Sequence, residues 1–348
     1  MEYDKPFLTY EQQISLLKER GLIIENHEFA IYALSTVSYY DLVNRYKRYF
    51  MHDTKFNDNV SIGLLYYFFL LDKSVQAVII KYSLLIENLF KTKLSYAIAE
   101  DFGVDLNDYL NAEHYKSSIK KLTFSAIHKN IMYSIESPSL SNPTRHYKIH
   151  HNHIPPWILF KNISFSNSIN LLKLLRKEQA VKVVNSLLPT PALTFEQKLN
   201  FIYCSLTGIR KFRNMAAHNL DFTSFRLDSK RKIPHSLLYQ LLGDTLVKKN
   251  SKTDKKAASG LYGILLSMFV YLSTPYLRAN IINDLLSPLH GIYDSESSIR
   301  YTLYNVYAAI TGMPTDLLYR LHSYLDLMLV ENKKYWLSNK HSMTEFPK

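Results

Sequence analysis

The stretch from Phe195 to Asn219 constrains this chain more than any other. Pro189 and Pro191 precede Thr194, and Thr194 followed by Gln197 has the form of a capping box, so a helix is expected to start there. Leu199, Ile202, Leu206 and Ile209 then recur at helical spacing and predict the buried side. Arg210, Asn214 and His218 stand four residues apart and line up on another side, with Arg213 displaced towards the apolar flank. A cation, an amide and an imidazole are therefore expected along one core-anchored helix.

Those residue types suit the attack of an RNA 2′-hydroxyl on its own adjacent phosphate. An imidazole can remove or return a proton near neutrality, a role expected for His218. Arg213 can set a planar, permanently charged fork against phosphate oxygens as charge builds on them. Asn214 can orient either the imidazole or the phosphate. The nucleophile belongs to the substrate, so no metal and no cofactor are expected. The bare spacing of Arg and His is weak, because it recurs at Arg20 and His27, at Arg45 and His52, and at Arg145 and His150. Only Arg213 has Asn beside it and a long amphipathic helix beneath it. Read alone, the motif better suits a buried structural helix whose Arg213 makes an ion pair and whose His218 sits near the C-terminal end, where the helix dipole favours it.

The segment Arg213-Asn214-Met215-Ala216-Ala217-His218 resembles the active-site motif of HEPN ribonucleases, and the chain around it resembles the Abi-like abortive-infection proteins of the AbiD and AbiF group. Three further blocks carry the resemblance: Lys5 to Ile14 running on to Gly21 to Ile24, then Val37 to Tyr40, and Pro155-Pro156-Trp157 with Ser164-Phe165. It spans Lys5 to Asp221. Where that family usually follows the Phe with Gly, this chain has Ser166 and Asn167, read as a local turn change. The resemblance implies an all-α, HEPN-type helical bundle elaborated with N-terminal and C-terminal helices. It also implies catalytic roles for Arg213, Asn214 and His218, and a homodimer in which two motif copies face each other. A growth-arresting ribonuclease toxin of phage defence, held by a regulatory RNA or an antitoxin, is the expected function. The alternative is a non-catalytic RNA-binding or scaffold protein that keeps the fold.

Charge and composition agree with a polyanionic partner. The 348 residues carry a formal charge of +12, and 47% hydrophobic content with only 9 Gly argues against a disordered or fibrous chain. An anionic membrane would satisfy the charge equally well but would not need the Arg-Asn-His set, and attachment to one ranks last. The single cysteine, Cys204, can form no internal disulfide. Met1 to Asp4 is polar and acidic and predicts no signal peptide, and the longest apolar run, near Leu261 to Leu272, falls short of the roughly 20 residues that span a bilayer. A cytoplasmic protein without a membrane partner is expected.

Along the chain, four regions are expected: residues 1–58, a basic aromatic N-terminal segment; 59–247, the helical core with the motif; 248–258, a basic linker; and 259–348, a C-terminal helical region. Helices are expected from Glu28 to Ser35, from Leu64 to Ala99 with a break near Ser74 or Ser83, from Ala112 to Tyr133, from Ser168 to Leu188 and from Ser236 to Val247. In the N-terminal segment, Arg45, Lys47 and Arg48 interleave with Tyr46, Tyr49 and Phe50, close behind Tyr39 and Tyr40. Cations for phosphates and rings for unstacked bases suit single-stranded RNA. Tyr39, Tyr40, Arg45, Lys47 and Arg48, with Arg210 and Lys211 of the motif helix, are the expected RNA contacts. Glu87 is a candidate to orient Arg213 or His218, or else an ordinary pair with Lys91 four residues on. Polar loops are expected over Ser137 to Pro143 and Thr144 to Pro156. The second carries His146, His150, His151 and His153, but zinc wants four arranged N or S ligands and no Cys lies near, so a loop beside the RNA is favoured over a metal site.

Overall fold

One uninterrupted helix carries the fold. Between Gly63 and Gly103 the sequence holds no Gly or Pro, and the computed structural model, which describes residues 5–137, 143–290 and 297–338, forms a single helix there, α4 (Ile62–Phe102). At 41 residues it is about 60 Å long at 1.5 Å per residue. Ser61 caps its start by accepting from the Leu64 N–H, and Gly103 ends it at φ 79°. The expected break does not occur. The hydroxyls of Ser74 and Ser83 donate back to the carbonyls of Leu70 and Ile80, and the helix runs on through both.

Before α4 come α1 (Tyr10–Glu19), α2 (His27–Thr36), a π-helical turn over Tyr40–Asn44, α3 (Lys47–Phe50) and a hairpin of β1 (Met51–His52) with β2 (Lys55–Phe56). After it follow α5 (Leu106–Tyr109), a 3₁₀ turn at Ala112–His114, a second hairpin of β3 (Ser118–Ile119) with β4 (Leu122–Thr123), α6 (Phe124–Glu136), α7 (Thr144–His150), α8 (Pro156–Leu159), α9 (Phe165–Leu174) and α10 (Lys177–Leu187). The motif helix is α11 (Phe195–Ala217). Six more close the chain: α12 (His235–Leu242), α13 (Lys252–Ala257), α14 (Leu261–Tyr271), α15 (Pro275–His290), α16 (Ser297–Thr311) and α17 (Leu317–Ser338). This is an all-α architecture in which α10, α11, α14 and α15 pack on α4. By length and composition α4 could cross a bilayer, which the short run at Leu261 to Leu272 did not foretell; here those helices pack on it, and 44% of its apolar window is buried. One hydrophobic cluster runs from Ile14 to Met328.

Several expected elements change on folding. Ala112 to Tyr133 is not one helix: the Tyr115 and Lys116 backbone pairs with Leu175 and Leu174, and Lys120 turns at φ 55°. Its lysines therefore lie around a hairpin. Thr144 to His150 is helical because buried Thr144 donates to the Ile158 carbonyl and Lys148 reaches Ile135 and Glu136. Ser168 to Leu188 divides at Leu175 and Arg176, where Arg176 donates to the Glu113 carbonyl. Ser166 and Asn167 make no turn change; Ser164 caps α9 directly.

Residues 248–258 do not form a solvated linker. Asp254 is fully buried and accepts from the Lys248 N–H at 2.9 Å, the Ser251 hydroxyl at 2.9 Å and Arg320 at 2.6 Å. A lone acid among lysines anchors the stretch to α17. Residues 1–4 and 138–142, the latter within the expected loop Ser137 to Pro143, lie outside the described residues.

Candidate active site

Residues from the two longest mid-chain helices meet at the end of α11. Its capping box forms as expected, with Thr194 and Gln197 each bonded to the other's backbone, so the register is set from the first turn. Ile202, Leu206 and Ile209 are buried and Leu199 is half-buried. Gly208 keeps the crossing with α14 close: a Cβ there would lie 2.7 Å from Ile264 Cδ1. The helix ends at Ala217. His218 is its cap, with its N–H on the Asn214 carbonyl at 3.0 Å.

His218 is exposed and Asn214 half-buried, and neither side chain has a hydrogen-bond partner among the described residues. Arg213 faces α4. Its Nη2 donates to Glu87 Oε2 at 3.1 Å, and Lys91 Nζ holds the other oxygen of the same carboxylate at 2.7 Å. Glu87 thus pairs with Arg213 and with Lys91 at once. With side-chain exposures of 28% for Arg213 and 15% for Glu87, the pair is partly screened, and the acid fixes the guanidinium without sealing it from solvent. Lys91 also lines a shallow pocket with Trp157 and Lys161, which is where the Pro-Trp block comes to lie.

A cation cluster extends from this point along α11. Burial lowers the pKa of Arg210, reinforced by repulsion from Arg213 and Arg231; burial likewise lowers Lys173 and Lys211, and Arg231 adds to both. Lys173 lies 5.2 Å from the Tyr203 ring and Lys211 5.7 Å from the Phe225 ring. No carboxylate lies within ion-pair distance of Arg210, Lys173 or Lys211 among the described residues, which leaves them for an anion. The sequence reading had Arg210 and Lys211 but missed Lys173 and Arg231. The run Lys230-Arg231-Lys232 after the motif was the available signal.

The N-terminal aromatic segment divides. Lys47 and Arg48 are exposed and Tyr40 is 65% exposed, whereas Tyr39 is half-buried under a hydrogen bond from Arg20. Arg45 is no surface contact: its side chain is 2% exposed. The π-turn puts its N–H on the Tyr40 carbonyl, five residues back, and that extra residue rotates it inward. His146, His150 and His151 pack on one another, yet among the described residues no three His, Cys, Asp or Glu form a group that could hold a metal.

Residues 32–222 match the family model described as Abi-like protein, which is more than half of the chain. The match covers the π-turn, α4 and the motif helix; the opening block Lys5 to Ile24 lies outside it. No curated protein and no solved structure matches the chain.

Proposed function

The chain belongs to the Abi-like family, and from that premise we propose that it is a HEPN-type endoribonuclease acting as a growth-arresting toxin in phage defence. The observation that carries this reading is the end of α11. An exposed His218, unpartnered among the described residues, stands beyond an Arg213 that is held by Glu87 yet open to solvent. A helix meant only for packing has no use for that pair.

The chemistry follows from the substrate. A base at the site takes the 2′-hydroxyl proton, the 2′-oxygen bonds to the adjacent phosphorus, and the bond from phosphorus to the 5′-oxygen breaks. An acid returns a proton to that 5′-oxygen, leaving a 2′,3′-cyclic phosphate and a 5′-hydroxyl. Arg213 carries the phosphoryl charge in the transition state. One chain has one motif, so a two-fold dimer supplies the second proton-transfer group as a second copy of His218, each lying near the partner subunit's Arg213. Exposed Leu84, Leu85 and Leu220 flank the site and suit burial against a second copy. The cations Lys173, Arg210, Lys211 and Arg231 suit the RNA backbone on either substrate or regulator.

RNA ends are sequenced after induction of the wild type, His218→Ala and Arg213→Ala. Each variant is expected to lose about 10²–10⁴-fold in cleavage and to abolish growth arrest. Full activity in both variants sinks the proposal. RNA binding by all three chains without cutting establishes the scaffold reading, which the cation cluster alone would satisfy.

A further inference from the structure

Among the described residues His218 has no side-chain partner, so the backbone that leaves it sets where the imidazole stands. That backbone is clamped at the next residue. Asn219 takes φ 53°, a left-handed conformation that Asn tolerates better than most side chains. Its carbonyl accepts from Arg45 Nη2 at 2.5 Å and its Oδ1 from the same nitrogen at 3.1 Å; Lys73 also donates to Oδ1. Its Nδ2 donates to Asp41 Oδ2 at 3.2 Å, and Asp41 in turn pairs with Arg45.

Beneath Arg45 lies Asp72, fully buried on α4, with its Oδ2 3.8 Å from Arg45 Nη1. Three groups donate to that carboxylate: the Tyr46 hydroxyl at 2.8 Å, Gln76 Nε2 at 2.9 Å and the Tyr307 hydroxyl at 3.3 Å. Tyr307 is buried and belongs to α16, more than 80 residues beyond the end of the family match. The same helix grips the chain a second time. Arg226, which holds the carbonyls of Thr223 and Phe225, donates to the Ile310 carbonyl at 2.9 Å.

We propose that Arg45 and Tyr307 are positioning residues for His218: Arg45, through Nη2, fixes Asn219, the residue after it, and Tyr307, through Asp72, makes the C-terminal block a backing for the active site. The proposal rests on the ribonuclease reading for its consequence, and on the clamp alone for its geometry. Misplacing a reacting group by about 1 Å can cost about 100-fold in rate, so a lever one residue from the imidazole is enough.

The full-length chain is tested as wild type, Arg45→Lys and Tyr307→Phe. Lysine keeps the charge and loses the Nη2 arm that reaches Asn219; phenylalanine removes one hydroxyl from a packed ring, and carries the test if the lysine variant does not fold. Three quantities are measured: single-turnover cleavage, affinity for an uncleavable 2′-deoxy substrate, and amide hydrogen exchange by peptide mass spectrometry. Arg45→Lys is expected to slow cleavage about 10–100-fold and Tyr307→Phe about 3–10-fold, with affinity within about twofold and faster exchange confined to residues 218–224. Affinity falling in step with cleavage overturns the proposal, because Arg45 then touches RNA. Unchanged exchange at 218–224 in a folded variant overturns it as well. If the wild type cuts no RNA, the ribonuclease reading fails, while the exchange data still decide the clamp.

Discussion

Two arginines are buried beside buried carboxylates here, and they are held differently. Arg320 meets Asp254 with both arms of its fork, at 2.6 and 3.2 Å, and has Asp316 at 2.9 Å as a second acid. Burial pushes the Asp254 carboxyl up, but hydrogen bonds from Arg320 and the Lys248 N–H outweigh it and hold the group below its usual range. Arg45 stands 3.8 Å from Asp72, with Nε and Nη1 unbonded, and spends Nη2 on Asp41 and on Asn219 instead. Burial pushes the Asp72 carboxyl up, with Tyr46 and Arg45 only partly opposing it. The first pair welds α13 to α17. The second is open, and its unused reach goes to the end of the motif helix.

The largest expected effect lies at the closed pair. Asp254→Ala leaves Arg320 buried without its fork partner and should cost about 3–5 kcal/mol in a urea melt, with cleavage per folded molecule unchanged. Arg45→Met should cost less, about 1–3 kcal/mol, because Asp72 is already disposed to take up a proton; a cost equal to that of Asp254→Ala would erase the distinction. Acid separates the pairs by sign. Asp254, depressed on folding, lends stability that is present above about pH 4 and is lost as pH falls through its folded value. Asp72, raised on folding, works the other way: from about pH 4 up to its folded value, stability drops as pH rises. Melts from pH 3 to 6 should therefore show Asp254→Asn flattening the acid limb and Asp72→Asn removing a decline. The smallest effect belongs to cations with no ion-pair partner among the described residues. Lys211→Ala should leave stability within about 0.5 kcal/mol and lower the salt slope of RNA binding by about 1.

Local grammar was legible and distant pairing was not. The capping boxes at Thr9 and Thr194, the stop at Gly103 and the apolar stripe of α11 all follow from residues a few positions apart. The presence of a helix was readable more often than its bounds: Ala112 to Tyr133 and Ser168 to Leu188 were divided by a backbone pairing between Tyr115 and Leu175 that neither segment announces. At the site, the Arg213 to His218 spacing was visible, and so was Glu87, because a carboxylate inside an apolar helix half needs a partner. Arg45 was misread. Its cationic, aromatic neighbourhood looks like a surface until a π-turn swings it inward.

The sequence alone determined the helical class, the capped starts of α1 and α11 and the motif that α11 presents, because propensity, capping and periodicity act over one or two turns of chain. Tertiary structure decided what each charge does. Arg45 binds Asn219 across 174 positions and Arg320 binds Asp254 across 66, and nothing in the surrounding residues specifies such partners. They are chosen when the core closes and every charge drawn inside must find a counter-charge or a hydrogen bond.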